Sequence, residues 1–261
     1  MEARLGAAPA SGPGDAAPPL VLHPPMVDDQ SAEQAAFYRA NAEAYDTLIA
    51  AEDADFTLLR ALAEVTRLEG ATVVDVGAGT GRFARMLVGR AAHVHLVERE
   101  PAMLDVARRA LDGRDDVTFH LADARAIPLA EASVDLAVAG WVFGHFPHWM
   151  PASWQAEVDA AIAEMRRVVR PGGAVVIVET LGTGHTEPRS HAVLDPYFAH
   201  LEARHGLARR WLRTDYEFPD AETAASVCTP FFGEELGARI RREGWARVPE
   251  CTAMFSATVA G

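Results

Sequence analysis

Lysine is absent from this chain: all 24 basic residues are arginine. No lysine amine is available to form a Schiff base or to anchor a phosphate. Cysteine is scarce too. Cys228 and Cys251 lie far apart and form no CxxC or metal-ligand spacing, so buried or semi-buried free thiols are expected rather than a disulfide. No apolar run approaches the ~20 residues that span a bilayer, and the first residues lack the basic-then-apolar order of a signal peptide. A soluble cytoplasmic protein is the expectation. Positive charge is outweighed, 24 basic against 37 acidic residues, for a formal charge of −13. That balance opposes bulk attraction to nucleic acid or an anionic membrane, so neither is expected as a partner, although a local basic patch is compatible with an acidic average.

What is present suits a globular enzyme-sized chain. Its 261 residues can bury one substantial core with room for a small lid, and 49% hydrophobic content is ordinary. Residues 1–25 are rich in Ala, Gly and Pro and read as a disordered or partly extended tail. Residues 26–261 then read as a single domain. Two helices are expected over 31–69. Ser31 and Gln34 hold capping-box positions in the first, and Phe37, Tyr38, Tyr45, Leu48 and Ile49 form its apolar face. Phe56, Leu59, Leu62 and Val65 mark the second.

Short strands and helices alternate after that. Strands are expected at 73–76, 94–98, 117–121, 135–140 and 174–179, with helices over 81–91 and 101–111. A further helix carries the stripe Val158, Ile162, Met165, Val169 and stops at Pro171-Gly172-Gly173. The pattern specifies an α/β fold, an open doubly wound and mostly parallel sheet with helices on both faces. Residues 182–232 break the rhythm and read as a lid or cap insertion. Helices near 221–228 and 233–243 and a last strand or hairpin over 245–260 complete the chain.

The most informative run is Val73-Val74-Asp75-Val76-Gly77-Ala78-Gly79-Thr80-Gly81-Arg82-Phe83-Ala84. It reads as a buried strand, a tight glycine turn and the first turn of a helix, where the missing Cβ lets the backbone approach a ligand closely. A dinucleotide fingerprint, Gly-x-Gly-x-x-Gly, would require glycine at 82, where the chain has Arg82. Glu98 ends the next apolar run, 21 residues after Gly77, where a carboxylate accepts from ribose hydroxyls. A nucleoside cofactor without a pyrophosphate is implied.

At these residues the chain resembles the class I S-adenosylmethionine-dependent methyltransferases, in particular the small-molecule group. The resemblance rests on VVDVGAGTGRFA at 73–84, LVEREPAML at 96–104, LADARAIPLAEASVDLAVAG at 121–140 and EMRRVVRPGGAVVIVE at 164–179. It covers about residues 40–180. It implies a seven-stranded sheet whose last two strands include an antiparallel one. S-adenosyl-L-methionine is the implied cofactor, with S-adenosyl-L-homocysteine as product. Gly77, Ala78, Gly79 and Gly81 would wrap its amino-acid half, with Asp75 either supporting that loop and the ammonium or capping the loop structurally. Glu98 would hold the ribose. Arg99 and Met103 would line the adenine, with a core role for Met103 as the alternative. Asp123 would accept from the adenine amine and the Ala124 N–H would meet a ring nitrogen. Gly140 and Trp141 would end the fourth strand beside the sulfonium, and Tyr45 would touch cofactor or acceptor.

The acceptor side is less specified. His145 and His148, just beyond the fourth strand, are candidate general bases, set against packing or cofactor-lining roles. Tyr38, Phe143, Tyr197 and Trp211 are candidate substrate-lining residues. His185, His191, His200 and His205 follow one another at spacings of six, nine and five, which do not match common zinc pairs, so no metal is expected. The implied reaction is methyl transfer to oxygen or nitrogen of a small molecule, with carbon methylation open, in a monomer or homodimer. A protein or RNA methyltransferase and a non-catalytic binding protein on the same fold are the rival readings.

Overall fold

The computed structural model describes residues 30–260, with side chains from residue 36 onward. The expected tail over 1–25 and the capping side chains of Ser31 and Gln34 lie outside the described residues. The elements run α1 (Gln30–Ala50), α2 (Thr57–Val65), β1 (Thr72–Val76), α3 (Arg82–Leu87), β2 (His93–Glu98) and α4 (Pro101–Ala110). Then come β3 (Val117–Leu121), β4 (Val134–Gly140), a 3₁₀ turn (Phe143–His145), α5 (Phe146–Trp149), α6 (Trp154–Val168) and β5 (Val169–Thr183). The chain closes with α7 (Leu194–His205), β6 (Ala208–Arg213), β7 (Tyr216–Glu217), α8 (Ala221–Phe232), α9 (Glu234–Glu243), β8 (Arg247–Val248) and β9 (Glu250–Thr258).

Seven strands form one sheet in the order β3-β2-β1-β4-β5-β9-β6. The first five are parallel, and β9 pairs antiparallel with both β5 and β6. Side-chain alternation divides the core between the two faces. Val74, Val76, Ala137, Ala139, Val175 and Ile177 pack with α6 and α7, whereas Val73, Leu136, Val138, Val176 and Val178 pack with α2, α3 and α4. Strands covered on both faces need nearly continuous apolar sequence, and β1, β4 and β5 supply it.

Several expected boundaries shift for local reasons. Phe56 does not join the apolar face of α2. It sits before the helix at φ 54° and is 64% exposed, while Asp53 Oδ1 and Oδ2 accept from the Thr57 and Leu58 N–H groups at 2.7 and 2.9 Å and cap the helix. Val169 leaves the stripe of α6 and starts β5. The next four residues bulge out, since Val134 pairs with Val169 and Leu136 with Ala174. The segment 182–232 is not one lid. It contains β6, an edge strand of the main sheet, and α7, whose Leu194, Tyr197, Phe198 and Leu201 are buried in the core. Among the described residues no helix is long and apolar enough to cross a membrane.

Candidate active site

The strand order reverses direction between β1 and β4, and in open α/β sheets ligands bind at the carboxyl ends beside such a switch. A crevice opens there. Its lining brings together Tyr38, Tyr45, Gly77, Gly79, Glu98, Arg99, Met103, Asp123, Ala124, Gly140, Trp141 and His145. Val97, Glu100, Ala122, Val142, Phe146 and Trp149 complete the wall, and the sequence reading did not single these out.

The glycine turn is held from β2. The Gly77 and Ala78 N–H groups donate to the Val97 carbonyl at 2.8 and 3.0 Å. Glu98 Oε2 accepts from the Gly79 N–H at 2.9 Å, and its Oε1 accepts from the Glu100 N–H at 2.8 Å. Burial raises the Glu98 carboxyl above the usual range, and these backbone donors oppose the rise. A Cβ on Gly79, at φ 55°, would lie 3.5 Å from Met103 Cε and 3.8 Å from Tyr45 Cε1, so a side chain there would occupy the crevice. Gly81 faces elsewhere, with Ala107 and Leu96 as its near neighbours at the start of α3. Asp75 and Ala78 also lie behind the crevice. Asp75 Oδ2 accepts from the Ala84 N–H at 3.2 Å and supports α3, with its carboxyl pushed by burial to about 7.

Asp123 is already engaged. Its Oδ1 accepts from the Arg125 backbone N–H and Nε at 2.9 and 2.7 Å, and its Oδ2 accepts from Arg125 Nη2 at 2.8 Å. The Arg125 side chain, the largest influence, holds this carboxyl below the usual range. Gly140 is required by packing, because a Cβ there would fall 2.3 Å from Phe83 Cε2. Trp141 follows at φ 56°, an uncommon conformation for a bulky residue, and its ring stacks on Phe83 with centroids 6.2 Å apart.

The helix α1 closes the top. It is kinked at Asn41 (φ −121°), whose Nδ2 donates to the Phe37 carbonyl at 2.8 Å. Tyr38 and Tyr45, on either side of the kink, meet edge to face at 5.5 Å. Tyr38 Oη lies 3.5 Å from His145 Nε2, and the His145 ring stacks on Trp149 at 4.7 Å. Arg39 clamps the helix to Glu100 with two bonds of 3.2 Å.

The remaining candidates sit outside the crevice. Tyr197 and Phe143 are fully buried. The Tyr197 hydroxyl donates to Glu179 Oε1 at 3.0 Å, and the same oxygen accepts from the Gly144 N–H at 2.8 Å. Glu179, its carboxyl pushed by burial to about 7, therefore braces the turn that carries His145. Trp211 is on β6, 49% exposed, in a groove with Leu181, Pro188 and Arg209. His148 is half-buried, with its ring 6.1 Å from His191 and its pKa lowered by burial. His200 and His205 meet at Asp159, whose Oδ1 is 2.7 Å from Nε2 of each. Asp159 comes from α6, so the spacing of histidines along the chain carried no sign of this group, which ties α6 to α7 away from the crevice.

A second cavity adjoins the first. It shares Tyr38, Tyr45, Trp141 and His145 with the crevice and adds Phe37, Leu48, Glu52, Arg82, Tyr216 and Pro230–Gly233. From the expected lid, only Tyr216 and the end of α8 reach it. Glu52 is among the polar residues that sequence reasoning missed. Its Oε2 accepts from Arg82 Nη1 at 2.5 Å and its Oε1 from the Thr214 hydroxyl at 3.2 Å. Behind it the Thr214 and Thr252 hydroxyls meet at 2.6 Å, and Glu250, buried and pushed up to about 8, accepts from the Thr180 hydroxyl at 2.7 Å.

The architecture and crevice agree with comparisons to known proteins. The model of the methyltransferase-domain family matches residues 74–177. The chain is 32% identical over 194 residues to the demethylmenaquinone methyltransferase of Deinococcus radiodurans, covering 70% of this chain and 75% of that protein. It is 35% identical over 115 residues to the malonyl-[acyl-carrier protein] O-methyltransferase of Serratia marcescens, covering 44% of this chain and only 40% of that protein's length. A crystal structure of a SAM-dependent methyltransferase from Aquifex aeolicus superposes with a TM-score of 0.50 at 15% identity, over 84% of this chain and 97% of that one. With its glycine turn, strand-end Glu98 and 3-2-1-4-5 parallel core joined to an antiparallel pair, this chain belongs to the class I S-adenosylmethionine-dependent methyltransferases.

Proposed function

We propose that the protein transfers a methyl group from S-adenosylmethionine to an oxygen or nitrogen of a small-molecule acceptor. The observation that carries this reading is the pair of adjoining cavities with a common wall of Tyr38, Tyr45, Trp141 and His145. One cavity has the polar groups a nucleoside needs, and the other has an aromatic lining. The residues of the crevice fit the cofactor. Gly79 leaves room that a Cβ would fill, Glu98 presents a buried carboxylate at the end of β2, and Asp123 with the Ala124 N–H stands at the end of β3.

Transfer forms a bond from the acceptor atom to the methyl carbon and breaks the sulfonium–methyl bond, leaving S-adenosylhomocysteine. The residues of this chain orient and enclose. Glu98 would hold the ribose, Met103 and Arg99 would flank the base, and the two tyrosines of α1 would exclude water from the bound pair, where alignment alone removes much of a barrier. His145 lines both cavities at the common wall, where it would assist proton removal from a hydroxyl or amine acceptor without being required for it. Enclosure by α1 and α8 favours a small molecule over a protein or RNA.

The test is calorimetry with S-adenosylhomocysteine, followed by turnover with methyl-labelled S-adenosylmethionine across a panel of phenols, amines and carboxylates. Micromolar-range binding together with label transfer to one acceptor class is expected. Tight binding with no transfer to any class would favour the non-catalytic reading, and absence of binding would overturn both.

A further inference from the structure

The second cavity is apolar at its sides and polar at one end. Phe37, Leu48 and Phe231 form walls, with Phe231 meeting Phe37 and Tyr45 edge to face at 5.9 Å in each pair. Rings arranged in this way accommodate a flat aromatic partner by offset stacking or edge contacts. The polar end is Arg82 with Glu52. The Arg82 guanidinium lies over the Trp141 ring, 3.9 Å from its centroid. The two side chains are 14% and 1% exposed, so the pair is desolvated.

A desolvated pair of this kind reads a particular chemistry. An anion placed there meets Glu52, and a cation meets Arg82, each at close quarters and with little screening. A group that both accepts and donates satisfies both partners at once: its oxygen accepts from a guanidinium N–H and its proton goes to the carboxylate. We propose that the second cavity is the acceptor site and that it selects an uncharged planar aromatic molecule whose hydroxyl is held between Arg82 and Glu52. The proposal rests on the methyl-transfer reading and narrows it. The Arg82–Glu52 pair stands beside the common wall, with Arg82 packed on Trp141, so the anchored hydroxyl lies close to the crevice.

The experiment uses the whole protein and three probes of one shape: 2-naphthol, naphthalene and 2-naphthoate. Binding is read by calorimetry with and without S-adenosylhomocysteine. The naphthol is expected to bind at least about tenfold more tightly than either of the others, since a site built for a hydroxyl penalises its absence. In Glu52→Gln the buried guanidinium loses its counter-charge, and the order of naphthol and naphthoate is expected to invert. Phe231→Ala is expected to weaken all three probes. Equal affinity for the three, or preference for naphthoate in the unaltered protein, overturns the proposal whether or not the Glu52 variant folds. Cofactor binding is a separate readout: loss of S-adenosylhomocysteine binding with the naphthol preference intact defeats the methyl-transfer reading and leaves the pocket chemistry standing.

Discussion

Glu98 and Gly79 are joined by a 2.9 Å hydrogen bond from the Gly79 N–H to Glu98 Oε2, which links the end of β2 to the glycine turn after β1. The same carboxylate thus positions the loop and faces the crevice. Replacing Glu98 with Ala removes the tether and, on the proposed reading, the acceptor for the cofactor's ribose. Hydrogen bonds to charged groups are worth roughly 1.5–3 kcal/mol, so affinity for S-adenosylhomocysteine is expected to fall by roughly 10- to 100-fold. Calorimetry showing unchanged affinity would remove Glu98 from the cofactor site.

Gly140→Ala tests the packing beneath Trp141. The added Cβ would fall 2.3 Å from Phe83 Cε2, and Phe83 is 2% exposed with little room to yield. Overpacking of this kind costs roughly 1–3 kcal/mol, which corresponds to a melting temperature lower by roughly 2–12 °C in a chain of this size. A variant melting with the parent would show that Phe83 repacks freely.

Stability is expected to fall as pH rises through neutrality. Burial pushes Asp75 and Glu179 to about 7, and burial with the neighbouring Glu52 carboxylate pushes Glu250 to about 8. Each is raised, so the folded protein keeps protons that the unfolded chain releases in the ordinary carboxylate range. The contribution is therefore fully present below that range and is lost as pH passes through 7 to 8. Glu250→Gln, neutral at every pH, is expected to melt close to the parent at pH 5 and above it at pH 9. Parallel melting curves for the two proteins over that interval would show that Glu250 ionises freely.

His145 is expected to tune the rate without being indispensable. Its ring is stacked on Trp149 and lies 3.5 Å from the Tyr38 hydroxyl, an arrangement that fixes orientation. Loss of a general base costs roughly 10²–10⁴-fold. His145→Gln is expected to retain more than about a hundredth of the parent rate, read by label transfer across pH with the acceptor identified from the panel. A fall beyond a thousandfold with intact S-adenosylhomocysteine binding would make it the base.

The crevice was legible in the sequence because its parts are local. A buried strand running into Gly77 and Gly79, and carboxylates closing β2 and β3, are set by a few consecutive residues each, and the parallel order of the strands then carries them to one edge. Trp211 and Tyr197 show where that reading stops. Their aromatic character announces burial or contact but not against what: antiparallel pairing with β9 puts Trp211 at the outer edge of the sheet, and the carboxylate of Glu179 draws Tyr197 into the core. Tyr38 and Tyr45 marked one wall of the second cavity, but its polar end was not legible, for the same reason. Glu52, Arg82, Tyr216 and Phe231 come from four separate segments with no common motif. Local sequence determined the strands, the turns and the residues at the carboxyl edge through backbone conformation and hydrophobic periodicity. Only the packing of α1 and α8 across the carboxyl edge of the sheet decided which polar groups were desolvated together, and desolvation is a property of the assembled fold.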